Sequence, residues 1–182
     1  SMKKKFELGV KYCFDDVLQI EEGATVEKTN KDKYNEIKPI FIVGVPRCGS
    51  TLVEKIIASG SKTIPMGEET GVLENLVNKK ILERQSLNLG SSSEVRNDLQ
   101  SLYRDRGLIL KRYDNIFTDK SLNNFFYLKL IKEIYPNAKI INCNRHALSS
   151  IISIFQNNLT GLAWTHDLEN IFKYFDNYYK II

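Results

Sequence analysis

Residues Ile40-Phe41-Ile42-Val43 form an unbroken β-branched and aromatic run, ended by Gly44-Val45-Pro46-Arg47-Cys48-Gly49. An apolar run without alternation is a strand buried on both faces, which a parallel sheet flanked by helices provides. After the loop, Ser50 or Thr51 opens a helix that Ser59-Gly60 ends. Its apolar positions Leu52, Val53, Ile56 and Ile57 fall on one stripe, which predicts the face turned to the core. A strand, a glycine-bounded loop and a helix in that order aim successive N–H groups and the positive end of the helix at one point. That arrangement binds anions.

The alternation continues. Residues 63–66 read as a short strand, followed by Gly67-Glu68-Glu69-Thr70 and a helix through Lys80. Residues 81–114 are charged and predicted helical, with a break at Gly90-Ser91-Ser92-Ser93. Residues 115–118 read as the next strand, ahead of a helix carrying Tyr127, Leu128, Ile131 and Ile134 that Pro136 stops. Lys139–Cys143 is another buried strand, and two helices follow, the second bearing Leu168, Ile171, Phe172, Phe175 and Tyr179. Strands alternating with helices predict an α/β fold with a doubly wound, mostly parallel sheet. Residues 1–37 are polar and of mixed charge, and read as an N-terminal helical and loop extension to an α/β domain over 38–182.

With 182 residues, 42% hydrophobic and 26% charged, the chain has the makeup of one globular domain. Its apolar runs are only a few residues long, so no membrane span is expected. Cys13, Cys48 and Cys143 are too scattered for a disulfide framework, and with two histidines, His146 and His166, no metal site is expected. A reducing cytoplasm is the expected setting. The net charge of +4 suits an anionic ligand, yet basic residues are interspersed with acidic ones, so nucleic acid is not favoured. His146 and His166 read as polar surface residues, and Trp164, Tyr174 and Tyr178 as core.

The loop from Gly44 to Thr51 has the spacing of the nucleotide P-loop, GxxxxGK[ST], with Ser50 in the lysine position. Anion binding by backbone N–H groups survives that change. The ammonium that bridges β- and γ-phosphates is lost, which disfavours a P-loop kinase or NTPase. A 5′-phosphosulfate carries less charge than a triphosphate, and Arg47 with the hydroxyls of Ser50 and Thr51 suits it.

Four segments, in order, resemble the sulfotransferases that use 3′-phosphoadenosine 5′-phosphosulfate (PAPS). They are most similar to the tyrosylprotein sulfotransferases and to bacterial sulfotransferase domains linked to tetratricopeptide repeats. Phe41 through Leu52 looks like the family's 5′-phosphosulfate loop, with Cys48 where serine is commoner and the backbone N–H as the binding group. Gly67-Glu68-Glu69-Thr70 is similar to the segment that supplies the base in the tyrosylprotein branch. Thr118-Asp119-Lys120, with Asn124-Phe125-Phe126-Tyr127-Leu128 behind it, resembles the lysine motif. Cys143-Asn144-Arg145 through Ser153 looks like the 3′-phosphate motif. Gly161-Leu162-Ala163-Trp164 and Asp167-Leu168-Glu169 echo the repeat-linked branch. The resemblance also implies a further strand and cofactor loop beyond residue 182, so the chain is expected to be a C-terminally shortened member.

What the resemblance implies is sulfuryl transfer to an acceptor hydroxyl, on a small molecule, a sugar or a peptide, with adenosine 3′,5′-bisphosphate (PAP) as product. In-line displacement asks for donors on the equatorial oxygens and on the leaving phosphate, and for a base beside the acceptor. Arg47 and Lys120 are the expected donors and Glu69 the expected base, with Glu68 as its neighbour. Arg47, Cys48, Gly49, Ser50 and Thr51 are expected on the 5′ side of the cofactor, and Arg145 with Ser153 on its 3′-phosphate. A homodimer is compatible with the sequence. The competing reading is a nucleotide-binding or interaction module that binds PAP or PAPS without turnover.

Overall fold

A computed structural model of the protein describes residues 17–27, 37–60, 64–109, 115–157, 159 and 161–182. Helix α1 (Val17–Gly23) and strand β1 (Thr25–Glu27) precede the central strand β2 (Lys38–Gly44). Helices α2 (Ser50–Ala58) and α3 (Val72–Arg84), strand β3 (Asn88–Ser91) and helix α4 (Ser92–Asp105) follow. Then come β4 (Ile116–Asp119), a 3-10 turn over Leu122–Tyr127, α5 (Leu128–Ile134) and β5 (Lys139–Cys143). The last elements are α6 (Ala147–Gln156), a 3-10 turn over Ala163–His166 and α7 (Leu168–Ile181).

The main sheet has the order β4-β2-β5, and both pairings are parallel. Strand β2 lies in the middle because its side chains tolerate cover on both faces: Phe41, Ile42 and Val43 are fully buried. Ile40 pairs with Thr118 on one side and with Lys139 on the other. The chain moves from β2 to β4 and then crosses back over β2 to β5. Right-handed crossovers in opposite directions lay their helices on opposite faces, and the reversal opens a crevice at the carboxyl ends of the strands. This is the expected α/β arrangement. A second, two-stranded parallel sheet pairs β1 with β3, and Ile20, Ala24 and Val26 join the common core.

Below the sheet, the 3-10 turn buries Phe125, Phe126 and Tyr127. Phe125 meets Tyr174 and Tyr178 edge-on, and Trp164 stacks on Tyr174 with ring centroids 3.9 Å apart. These aromatics are core, as the sequence suggests, and truncating one to Ala costs about 3–5 kcal/mol. Asp167 caps α7, its carboxylate accepting the N–H of Asn170 at 3.0 Å.

Four local expectations change. Residues 64–66 are not a strand, and Thr63 lies outside the described residues. Thr118 and Lys120 instead donate their N–H groups to Pro65 O (3.0 Å) and Glu68 O (2.8 Å). The step of two residues from Thr118 to Lys120 thus matches a step of three from Pro65 to Glu68, and Pro65 has no N–H to return. The break expected at Gly90-Ser91 is strand β3, with Gly90 at φ 97°. Strand β4 runs one residue beyond the expected 115–118, to Asp119. The stripe predicted to face inward on α2 does so only in part: Val53 and Ile57 pack against the core, Leu52 and Ile56 are exposed, and Ser50 and Glu54 are buried. Of the expected helical and loop extension over 1–37, a helix is described from Val17 on, and residues 1–16 and 28–36 lie outside the described residues.

Candidate functional site

The turn between β2 and α2 carries two left-handed residues, Arg47 at φ 67° and Gly49 at φ 96°. Gly44 is needed for a different reason. A Cβ there would lie 2.7 Å from the carbonyl oxygen of Cys143 on the adjacent strand. At Gly49 a Cβ would meet nothing within 4 Å, so the loop presents open space on that side. Gly49 caps α2 without a side-chain bond, and the first-turn N–H groups of Ser50 and Thr51 have no intrahelical acceptor. Cys48 points elsewhere. Its N–H closes a turn onto Val45 O at 3.2 Å. Its thiol lies beside that of Cys143, which burial, with Cys48 close by, pushes up to about 11.

Three of the expected residues converge on this loop. The Nε of Arg47 donates to Ser153 Oγ at 3.0 Å, and Nη1 of Arg145 donates to Arg47 O at 3.2 Å. The end of strand β5 and the second half of α6 therefore bring Arg145 and Ser153 against the loop between β2 and α2, across separations of 98 and 106 residues.

Glu69 and Lys120 form the other half. Their side chains meet at 3.0 Å, with Lys120 buried and Glu69 largely exposed. The Lys120 N–H on Glu68 O, already noted, ties the two segments together. A Cβ on Gly67 would sit 2.1 Å from Thr118 O, so only glycine permits this approach. Glu68 adopts φ 53°, a left-handed turn that separates the directions of Glu68 and Glu69.

Asp119 holds this half in place. It is fully buried and accepts four hydrogen bonds. They come from Thr70 Oγ1 (3.0 Å), Tyr103 Oη (2.7 Å), Ser121 N (2.9 Å) and Asn124 Nδ2 (3.1 Å). A buried carboxylate without a cation is costly unless its lone pairs are filled, and here they are. Burial, reinforced by the Asp119 charge, holds the Tyr103 hydroxyl well above its ordinary pKa, so it stays a donor. The network locks Thr70 to the residue before Lys120, which fixes Glu69 relative to Lys120.

Two adjoining cavities meet here. One, of about 580 Å³, is lined by the loop residues Gly49, Ser50 and Thr51 together with Arg47, Arg145 and Glu69. The other, of about 490 Å³, is lined by Glu54, Met66, Glu68, Glu69, Arg106 and Lys120. Thr51, Lys55 and Glu69 line both. Each volume lies in the range of small-ligand pockets. The residues present fit a phosphosulfate nucleotide: open space at Gly49, unpaired helix N–H groups, and Arg145 without a carboxylate partner among the described residues. No group of three or more His, Cys, Asp or Glu among the described residues is arranged to hold a metal, and no described helix is long and apolar enough to cross a membrane.

Of the residues singled out from the sequence, Arg47, Gly49, Ser50, Thr51, Glu69 and Arg145 line the first cavity, and Thr51, Glu68, Glu69 and Lys120 the second. Ser153 joins through Arg47, and Cys48 lines neither cavity. Arg47 reaches Ser153 rather than the Glu69–Lys120 pair. Sequence reasoning missed Glu54, Lys55, Met66 and Arg106, and saw in Thr118-Asp119-Lys120 only the lysine. The signal available for Glu54 was its spacing of one helical turn from Ser50, beside Val53 and Ile57 on the flank of the apolar stripe.

A sequence model described as "Sulfotransferase family" matches residues 39–181. The chain is 29% identical over 160 residues to a protein of Aquifex aeolicus (strain VF5) described as uncharacterized, covering 83% of this chain and 21% of that one. It is 32% identical over 145 residues to protein-tyrosine sulfotransferase A of Caenorhabditis elegans, covering 71% of this chain and 36% of that one. It thus spans about a fifth and about a third of the lengths of these relatives. With the matched region taking in the loop, the Glu69–Lys120 pair and Arg145, the chain belongs to the sulfotransferase family.

Proposed function

We propose that this chain binds PAPS in the larger cavity and transfers its sulfuryl group to an acceptor hydroxyl held in the smaller one, with Glu69 as general base. The observation that carries the reading is the position of Glu69, which lines both cavities and touches Lys120 at 3.0 Å. PAPS supplies the electrophilic sulfur and a 5′-phosphate leaving group. The chain supplies the rest. The N–H groups at the start of α2 and the hydroxyls of Ser50 and Thr51 hold the anion at the 5′ end. Arg145 and Ser153, across the loop from Lys120, address the 3′-phosphate. Glu69 takes the acceptor proton as the acceptor oxygen bonds to sulfur and the sulfur–oxygen bond to the 5′-phosphate breaks. Lys120 and Arg47 stabilise the charge that develops on the sulfuryl oxygens and the departing phosphate. To do so, Arg47 must leave Ser153 for the transferring group.

Calorimetric titration with PAP and with AMP tests the donor half, without Mg²⁺. PAP is expected to bind about 10- to 100-fold more tightly, the worth of a charge-assisted contact to one extra phosphate. Equal affinity sinks the assignment of Arg145 and Ser153. For the acceptor half, labelled PAPS is offered with a tyrosine peptide, a simple phenol and an oligosaccharide. Binding of PAP with no turnover on any acceptor would leave the non-catalytic module as the better reading.

A further inference from the structure

Helix α2 buries the wrong residue for a simple packing helix. Leu52 and Ile56 lie in solvent while Glu54 is only 2% exposed. No cation pairs with Glu54 among the described residues, so its charge is buried at a cost that packing alone does not explain. Its Oε1 accepts Glu68 N–H at 3.0 Å and Thr118 Oγ1 at 2.6 Å. Thr118 Oγ1 in turn accepts Gly67 N–H at 3.2 Å. The peptide unit of Glu68 is therefore held at both ends, by Glu54 at its N–H and by Lys120 N–H at its carbonyl. Glu68 keeps its left-handed φ of 53° between these two grips. The next residue is Glu69.

We infer that Glu54 is the positioning residue for the base: it clamps the Gly67-Glu68 turn from the phosphate-binding helix and so sets Glu69 against both cavities. The inference rests on the sulfotransferase reading for its catalytic consequence, but the clamp itself is testable without it. Because Glu54 shares α2 with Ser50 and Thr51, the same helix that holds the donor anion also fixes the base. The base and the donor anion are therefore in register through one rigid element.

The test compares Glu54→Met, which keeps length but accepts nothing, with Glu54→Gln, whose amide oxygen still accepts both bonds. Amide hydrogen exchange in the full chain reads the clamp directly. In Glu54→Met the Glu68 amide is expected to exchange at least about 10-fold faster, as local opening becomes easier. In Glu54→Gln it should stay within about 3-fold of the parent, because the acceptor is retained. Sulfuryl transfer from labelled PAPS should fall by about 10- to 100-fold in Glu54→Met, with KM for PAPS within about 2-fold, since misplacing a base by an ångström costs that much. Glu54→Gln should recover most of that loss. Unchanged Glu68 exchange in Glu54→Met overturns the inference, as does a Glu54→Gln variant as impaired as Glu54→Met. Should Glu54→Met fail to fold, Thr118→Val decides: Gly67 exchange rises while Glu68, still held by Glu54, does not. If the parent binds no PAP, the sulfotransferase reading fails while the exchange measurements still decide the clamp.

Discussion

Lys80 and Lys120 are buried alike, with 6% and 5% of their side chains exposed, and are placed in opposite electrostatic settings. Lys80, on α3, bonds two carboxylates of α4, Glu94 and Asp98, each at 2.8 Å. Arg84 adds a second cation to Glu94 at 2.8 Å. Among the described residues Lys120 bonds a single carboxylate, Glu69, which is largely exposed, and the pair lines a cavity. An ammonium has three donors and needs anions around it when buried. With two carboxylates the charge of Lys80 is fully compensated, although Lys80 too lines a cavity, of about 320 Å³. Lys120 keeps donor capacity for a ligand. The same contrast separates two arginines: Arg84 meets both oxygens of Glu94, whereas among the described residues Arg145 holds only a backbone carbonyl beside the open loop. Burial of a cation is thus no sign of function. What marks the site is a cation whose compensation is incomplete and which faces a cavity.

The largest expected effect tests that rule on the lysines. Glu69→Gln and Lys120→Ala should each slow sulfuryl transfer by about 10²–10⁴, the reach of a positioned base or of a donor on developing charge. Lys80→Met should leave transfer from labelled PAPS unchanged. If Lys80→Met slows turnover as much as Lys120→Ala, the distinction between closed and open cations fails. Next in size, Arg145→Ala should weaken PAP by about 10- to 100-fold and leave AMP nearly unaffected, since only the 3′-phosphate is lost as a partner. A matched Arg84→Ala should change neither affinity by calorimetry.

Parts of this contrast were legible before any coordinates, and parts were not. The run Phe41-Ile42-Val43 and the glycines at 44 and 49 specify strand, loop and helix through local constraints, and the structure keeps them. Glu69, Lys120 and Arg145 were found because motifs carry them, each at or near the carboxyl end of the sheet. The bonds that organise the site were out of reach. Thr70 to Asp119 spans 49 residues, and Thr118 to Glu54 spans 64. No periodicity records such bonds, because a buried acid on a helix reads locally as a solvated one. The strand expected over 63–66 fails over 64–66 for a related reason. β-Branched residues suggested a strand, but pairing is decided by Pro65, which lacks a donor, and by Gly67, pressed against Thr118. The stripe on α2 faces the core only through Val53 and Ile57, because Glu54 answers to Glu68 and Thr118 and is buried beside them.

The smallest expected effect concerns the closed cluster itself, and it is the one whose pH dependence has a definite sign. Burial works against the charge of Lys80, but its bonds to Asp98 and Glu94 outweigh that and raise its pKa above the ordinary 10.5. Lys80 first, and then Arg84, lower the carboxyl of Glu94 below its ordinary 4.5. A group with a raised folded value stabilises below its unfolded pKa, and that contribution is lost as pH rises through the folded value. A group with a lowered folded value stabilises above its unfolded pKa and loses that contribution as pH falls through the folded one. The cluster is therefore fully stabilising between 4.5 and 10.5 and fades on either side. Since Glu94 and Asp98 are nearly half exposed, water screens the pair, and Lys80→Met should cost only about 1 kcal/mol at neutral pH. For a chain of this size that lowers the melting temperature by about 2–4 °C. Thermal unfolding followed from neutral pH down to about pH 3 should show the gap between parent and Lys80→Met closing as Glu94 takes up its proton. A gap that stays constant across that range would mean that Lys80 acts through the packing of its methylenes. The two lysines would then differ in what surrounds their stems, and the charge argument would have to rest on Lys120 alone.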